Sequence, residues 1–236
     1  MINYHPIDCV AFMKELPDQY YDLAVVDPPY FSEPEKRMFY GKKKSSINVK
    51  RKNYEEMETW EVPGKEYFRE LFRVSKRQII WGCNYFEWDF TPGRIIWDKV
   101  NGNSSFSDCE IAFCSMHESV RLFRFMWNGM LQGKSIKEGH LQQGNKRLNE
   151  FRIHPTQKPV KLYLWTFQTY AENGWKILDT HRGSGSSGVA ILELNKKLGM
   201  NLTLDSCEKD ISMHRKSSEW LVREQAKYEL NPVLFE

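Results

Sequence analysis

The chain of 236 residues carries 34 Lys and Arg against 31 Asp and Glu, a net charge of +3, with 41% hydrophobic and 14% aromatic residues. That suffices for one α/β domain with an added lobe, and the weak basic excess permits a nucleic-acid partner without demanding one. Five cysteines (Cys9, Cys83, Cys109, Cys114 and Cys207) without a C-x-x-C pair argue against a disulfide framework and a zinc site, so no metal is expected, and the lack of a leader segment or a run of about 18 apolar residues predicts a cytoplasmic protein with no membrane partner.

Ile2 to Ile7 reads as a short strand. Asp8 then precedes Val10, Phe12, Met13 and Leu16, a helical pattern with Asp8 as its N-cap. Leu23 to Val26 is the next strand, and Asp27-Pro28-Pro29-Tyr30 leaves its carboxyl end, where open α/β sheets place their ligands. Alone, these four residues are ordinary turn formers. Their chemistry suggests more: two prolines remove two backbone donors and fix an extended path, so free carbonyls stand beside the Asp27 carboxylate. An exocyclic amine offers two N–H donors to such acceptors, and Tyr30 offers a flat face for a base.

Lys36 to Lys52 holds eight basic residues and no acid. It reads equally as a solvated loop or as a grip on phosphates through Lys42, Lys43, Lys44, Lys50, Arg51 and Lys52. Glu66 to Val74 has a helical stripe and Gln78 to Trp81 a strand. Arg94 to Trp97, Glu110 to Cys114 and Val120 to Phe125 are short strand candidates for an antiparallel ribbon. From Asn128 to Arg152 the composition turns polar and basic, without enough apolar residues for a core. Residues 128–153 are therefore a candidate target-recognition insertion, with Lys134, Gln142, Lys146 and Arg147 as DNA contacts, or else a plain surface loop. On that division 1–127 is the catalytic half and 154–236 the cofactor half of one domain.

After His154-Pro155, Val160 to Ala171 reads as a helix, Lys176 to Asp179 as a strand, and Val189 to Leu198 as a helix beyond the glycines. Leu202 to Leu204 is a further strand and Asp210 to Leu230 a long polar helix. Gly183-x-Gly185-x-x-Gly188, with Glu208 twenty residues past the last glycine, also satisfies the dinucleotide pattern. Physically the glycines establish close backbone approach and a helix N-terminus aimed at a nucleoside ligand. Asp179 at the strand end favours a ligand with a cationic amino group over a pyrophosphate.

The three stretches Asp27-Pro28-Pro29-Tyr30, His154-Pro155-Thr156-Gln157-Lys158-Pro159 and Asp179-Thr180-His181-Arg182-Gly183-Ser184-Gly185-Ser186-Ser187, in this order, resemble the amino-group DNA methyltransferases of the permuted beta class. Trp81-Gly82-Cys83-Asn84-Tyr85-Phe86, Trp97-Asp98-Lys99 and Trp127-Asn128-Gly129-Met130-Leu131 resemble the compact adenine enzymes of prophages. The resemblance spans nearly the whole chain. It implies a circularly permuted, Rossmann-like α/β S-adenosylmethionine-dependent methyltransferase sheet, with double-stranded DNA as partner and adenine N6 as the target of a flipped base. It makes Asp27, Pro28, Pro29 and Tyr30 catalytic, and places Asp8, Asp27, Thr156, Lys158, Asp179, Gly183, Gly185, Ser186 and Glu208 around S-adenosylmethionine. The usual Gly before Asp8 is Ile7 here. Thr156 and Lys158 are assigned to the methionine end. Cytosine N4, a protein or RNA amine, a dehydrogenase and an inactive DNA-binding relic remain the alternatives, and a homodimer is compatible with the sequence.

Overall fold

The computed structural model describes residues 1–31, 61–102, 107–128, 131–154 and 156–230. The basic stretch 36–52, with its six candidate DNA contacts, lies outside the described residues, as does Pro155. One large sheet organises the rest. Its parallel half sets β1 (Ile2–His5), β10 (Thr203–Cys207), β9 (Lys176–Asp179), β2 (Leu23–Val26) and β3 (Gln78–Trp81) side by side in that order. The other half adds β5 (Cys109–Cys114), antiparallel to β3 and to β4 (Arg94–Asp98), with β6 (Val120–Arg124) parallel to β4 at the edge.

The ribbon expected from the sequence is thus antiparallel only across β5. Both flanks of β5 are taken, so the returning strand lies beyond β4 and shares its direction. The permuted order is plain in the parallel half: β9 and β10 come late in the chain yet lie between β1 and β2.

Alternate side chains of each central strand face opposite layers. Leu23, Val25, Ile79 and Trp81 pack beneath α3 (Val160–Tyr170), α4 (Ser186–Leu198) and α5 (Ile211–Leu230). Ala24, Val26 and Ile80 pack with Cys9 and Met13 of α1 (Cys9–Lys14) and Tyr67, Phe68 and Leu71 of α2 (Lys65–Val74). With both faces covered, the strands read as unbroken apolar runs, and each buried Leu, Ile or Val contributes about 1.5–3 kcal/mol.

Element ends shift where capping decides them. Asp8 caps α1 as expected, its Oδ1 accepting from the Val10 and Ala11 amides at 3.0 Å each. Helix α4 starts at Ser186, three residues before the expected Val189, because Gly185 takes φ +85° and turns the chain into the helix there. Gly188 therefore belongs to α4. A Cβ on it would stand 2.2 Å from the Tyr4 hydroxyl, so its role is close helix–strand packing. Strand β10 runs to Cys207, beyond the expected Leu204.

Polar contacts hold the insertion to the domain. After the short ribbon of β7 (Trp127–Asn128) and β8 (Leu131–Gln132), buried Gln132 clasps the Glu150 backbone in both directions, donating at 2.9 Å and accepting at 2.7 Å. The Glu150 carboxylate in turn accepts from Gln157 at 2.8 Å and from the Val160 amide at the start of α3 at 2.8 Å. This clasp works beside the packing of Ile136 and Ile153 against the main core.

Candidate active site

Strand β2 continues to one side into β3 and strand β9 to the other into β10, so the carboxyl ends of β2 and β9 flank the crevice where the strand order reverses. Asp27 leaves β2 there. Buried Pro28 follows it, and Tyr30 lies with its ring stacked on Tyr85 at 4.9 Å and 9°. Gly82, at the end of β3 with φ +70°, accommodates that ring: a Cβ would stand 2.3 Å from Tyr30 Cδ1.

Four charged groups, Asp27, Glu110, Lys158 and Lys99, form one cluster here. The buried Lys158 ammonium pairs with Asp27 Oδ1 at 2.7 Å and with Glu110 Oε2 at 2.7 Å, and donates to the Tyr30 hydroxyl at 3.1 Å. Lys99, one residue past β4, pairs with Glu110 Oε1 at 2.5 Å, and the Tyr30 hydroxyl donates to Glu110 Oε2 at 3.2 Å. Burial raises the Asp27 carboxyl, with Lys158 opposing and the Glu110 charge reinforcing the rise. For Glu110 burial also pushes upward, but Lys158 and Lys99 overcome it and hold that carboxyl at about 2. Against the desolvation that lowers it, Lys158 is held well above an ordinary lysine by Asp27 and Glu110.

The resemblance assigned Lys158 to the cofactor's methionine end, and in the structure its ammonium bridges two carboxylates beside Tyr30. Thr156 also turns inward locally, its hydroxyl 3.0 Å from His154 Nδ1, and burial lowers His154 to about 3, so the imidazole is neutral. Sequence reading missed Glu110, Lys99 and Tyr85 as site residues. For the first two no signal lay in the spacing, because their meeting is set by the register of β4 against β5.

On the β9 side, buried Asp179 accepts from Ser187 Oγ at 2.5 Å and from the His181 amide at 3.2 Å. Burial raises its carboxyl to about 6 in spite of those bonds. Glu208, just past β10, accepts from the Gly183 amide at 2.9 Å, and burial raises it too. Gly183, at φ +50°, has open space where a Cβ would stand, and Ser186 begins α4 with its hydroxyl on the Lys158 carbonyl at 2.8 Å. Two carboxylates, the N-terminus of a helix and an open glycine suit a nucleoside that carries an amino group. Gly185 serves the turn, and Asp8 is exposed at the rim of β1 with one carboxylate oxygen used as a cap. Arg182 points away from this space, stacking on Tyr4 at 4.0 Å and donating to Ser217 at 3.0 Å.

Lys134, Gln142, Lys146 and Arg147 all lie exposed on the insertion, with Lys134 paired to Glu138 at 3.0 Å. Trp127 donates to the Gln157 carbonyl at 2.7 Å, and the Glu150 clasp holds the Gln157 side chain, so the insertion is tied to the residue before Lys158.

A structure with this layout is known with its cofactor: M1.HpyAVI in complex with S-adenosylmethionine superposes with a TM-score of 0.51 at 16% identity, over 94% of this chain and 100% of that one. The fold is that of the S-adenosylmethionine-dependent methyltransferases. In sequence, this methyltransferase-fold chain is 24% identical over 226 residues to the type II methyltransferase M.HinfI of Haemophilus influenzae, covering 82% of this chain. It is 25% identical over 235 residues to the type II methyltransferase M2.MboI of Moraxella bovis, covering 87% of this chain and 85% of that protein. The chain spans 61% of the length of M.HinfI. No family model matches it. Among the described residues of this methyltransferase fold, no helix is long and apolar enough to cross a membrane.

Proposed function

We propose that the chain is an S-adenosylmethionine-dependent DNA methyltransferase acting on the exocyclic N6 amine of adenine in a flipped base, in the cytoplasm. The observation that carries this reading is Asp27, a carboxylate beside fixed proline backbone at the carboxyl end of β2, next to the glycine loop that follows β9. Bound S-adenosylmethionine supplies an electrophilic methyl group. Asp179 would pair with its amino group, Glu208 with its ribose, and the backbone at Gly183, where no side chain intervenes, would let it approach closely.

Asp27 and the Pro28 carbonyl accept the two N–H bonds of the incoming amine. Positive charge grows on that nitrogen as it takes the methyl, so these acceptors bind the transition state better than the ground state. Asp27 then holds the proton the nitrogen releases. Tyr30 offers the stacking face, contributing about 1–3 kcal/mol per base against the cost of extrusion. The insertion 128–153, with Lys134, Gln142, Lys146 and Arg147, would meet the target sequence, and two copies on one duplex would let both strands of a symmetric site be served.

The test is incubation with methyl-labelled S-adenosylmethionine and mixed-sequence duplex DNA, then digestion and nucleoside chromatography. Label in N6-methyladenine is expected, with Asp27→Ala binding the cofactor yet transferring nothing. Label in N4-methylcytosine would overturn the base assignment, and wild-type transfer by Asp27→Ala would overturn the role of Asp27.

A further inference from the structure

The catalytic carboxylate of the proposed reaction is engaged by an ammonium, and that arrangement conflicts with the reaction unless something relieves it. Lys158 stands at 2.7 Å from Asp27 Oδ1, an atom beside which positive charge would grow on the target nitrogen. A fixed cation there opposes the transition state and competes with the amine for the acceptor. The same ammonium stands at an equal 2.7 Å from Glu110. Glu110 is anchored on its other oxygen by Lys99 and on the shared one by the Tyr30 hydroxyl, whereas no second cation holds Asp27 among the described ion pairs.

We propose that Glu110, anchored by Lys99, is a positioning residue: it takes the whole of the Lys158 ammonium as Asp27 turns to the substrate amine, and returns half of it when product leaves. This deepens the methyl-transfer reading and rests on it. Two carboxylates and two ammonium groups sum to zero charge, so the exchange shifts one contact without stranding a buried ion. The ammonium also lies over the rings of Tyr30 at 5.6 Å and Trp81 at 5.8 Å, which keep it solvated by π faces while it shifts. The separation of the two carboxyl groups agrees: Asp27 is raised and Glu110 is held at about 2, so Glu110 stays charged while Asp27 takes up a proton.

The groups facing Asp27 come from every surrounding element: Tyr30 on its own loop, Lys99 past β4, Glu110 on β5, Lys158 two residues before α3, Tyr163 in the first turn of α3, and Asp179 on β9. Two of them give predictions of opposite sign. Removing the Glu110 charge leaves Asp27 as the only counter-ion for Lys158, so the Asp27 titration falls to lower pH. Removing the Lys99 charge takes a cation from the cluster and leaves Glu110 to bind Lys158 more fully, so the Asp27 titration rises.

The experiment follows the carboxyl carbon of Asp27 by NMR against pH in the wild type, Glu110→Gln and Lys99→Met, alongside single-turnover methyl transfer across the same pH range and cofactor binding by calorimetry. For Glu110→Gln the expected result is a downward shift of the Asp27 midpoint, the acid limb of the rate moving with it. The transfer rate should fall about 10–100-fold while cofactor affinity stays within about twofold. Lys99→Met should move the midpoint upward, a reversal that general destabilisation does not produce. Midpoints that stay put in both variants overturn the proposal, as does a rate loss accompanied only by lower melting temperature and lost cofactor binding. Should the wild type methylate no base while the midpoints still move in opposite directions, the shared ammonium stands and the methyl-transfer reading falls.

Discussion

At the scale of single residues, the site depends on atoms that leave no slack. Gly82 is the clearest case, since its φ of +70° and its contact with Tyr30 both exclude a side chain. Gly82→Ala is expected to cost about 1–3 kcal/mol in urea denaturation and to displace the Tyr30 ring, so base binding weakens more than cofactor binding does. Equal losses in both would show that the glycine serves the fold alone. Asp179 carries a pH prediction. Burial raises its carboxyl to about 6, so below that pH it is neutral and offers no charge to a cationic amino group. Cofactor affinity should therefore fall as pH drops from 8 through about 6, and calorimetry on Asp179→Asn should show weak binding that no longer varies across that range.

At the scale of elements, the join between the insertion and α3 is polar and part-buried. Withdrawal of the Glu150 carboxyl from water raises it to about 7 in spite of the donors Gln157 and Val160. A carboxyl whose folded value lies above its unfolded value of about 4.3 contributes most at acid pH, and that contribution is lost as pH rises through about 7. Wild-type stability should thus decline from pH 5 to pH 8, and the decline should be shallower in Glu150→Gln, as denaturant midpoints at the two pH values would reveal. A parallel decline in both proteins would remove Glu150 as its source.

The strands and helices were largely legible in the sequence because apolar runs bounded by Gly, Pro and Asp mark buried parallel strands, and because Asp27, Asp179 and the glycines sit directly at strand ends. Glu110 and Lys99 were not. Their meeting with Lys158 depends on the register that sets Trp97 opposite Glu110 across β4 and β5. Ion-pair geometry of that kind is written in pairing, and no spacing along the chain encodes it. The helix-start shift in α4 has the same origin: Ser186 and Ser187 are weak helix formers, and Gly185 places them in the helix through the turn it makes.

For the whole molecule, binding to duplex DNA should carry the signature of phosphate contacts. The logarithm of affinity is expected to fall linearly with the logarithm of salt, with a slope of about −0.9 for each phosphate neutralised. Replacing Lys134, Lys146 and Arg147 together by Ala should flatten that slope while leaving cofactor affinity unchanged; an unaltered slope would take the insertion away from DNA. The order of strands in the sheet has a consequence for how the molecule is made. Strand β1 has β10 as its sheet partner, with Ile2 beside Leu204, and β2 meets β9, with Ala24 beside Leu178. On a ribosome working at about 5–20 residues per second, the catalytic half, ending at residue 127, would emerge about 4–16 seconds before the end of β10 at residue 207. The nascent chain must wait with Asp27 on an unfinished edge, and a translation-arrest sensor should register a pulling force only after residue 207 has left the exit tunnel.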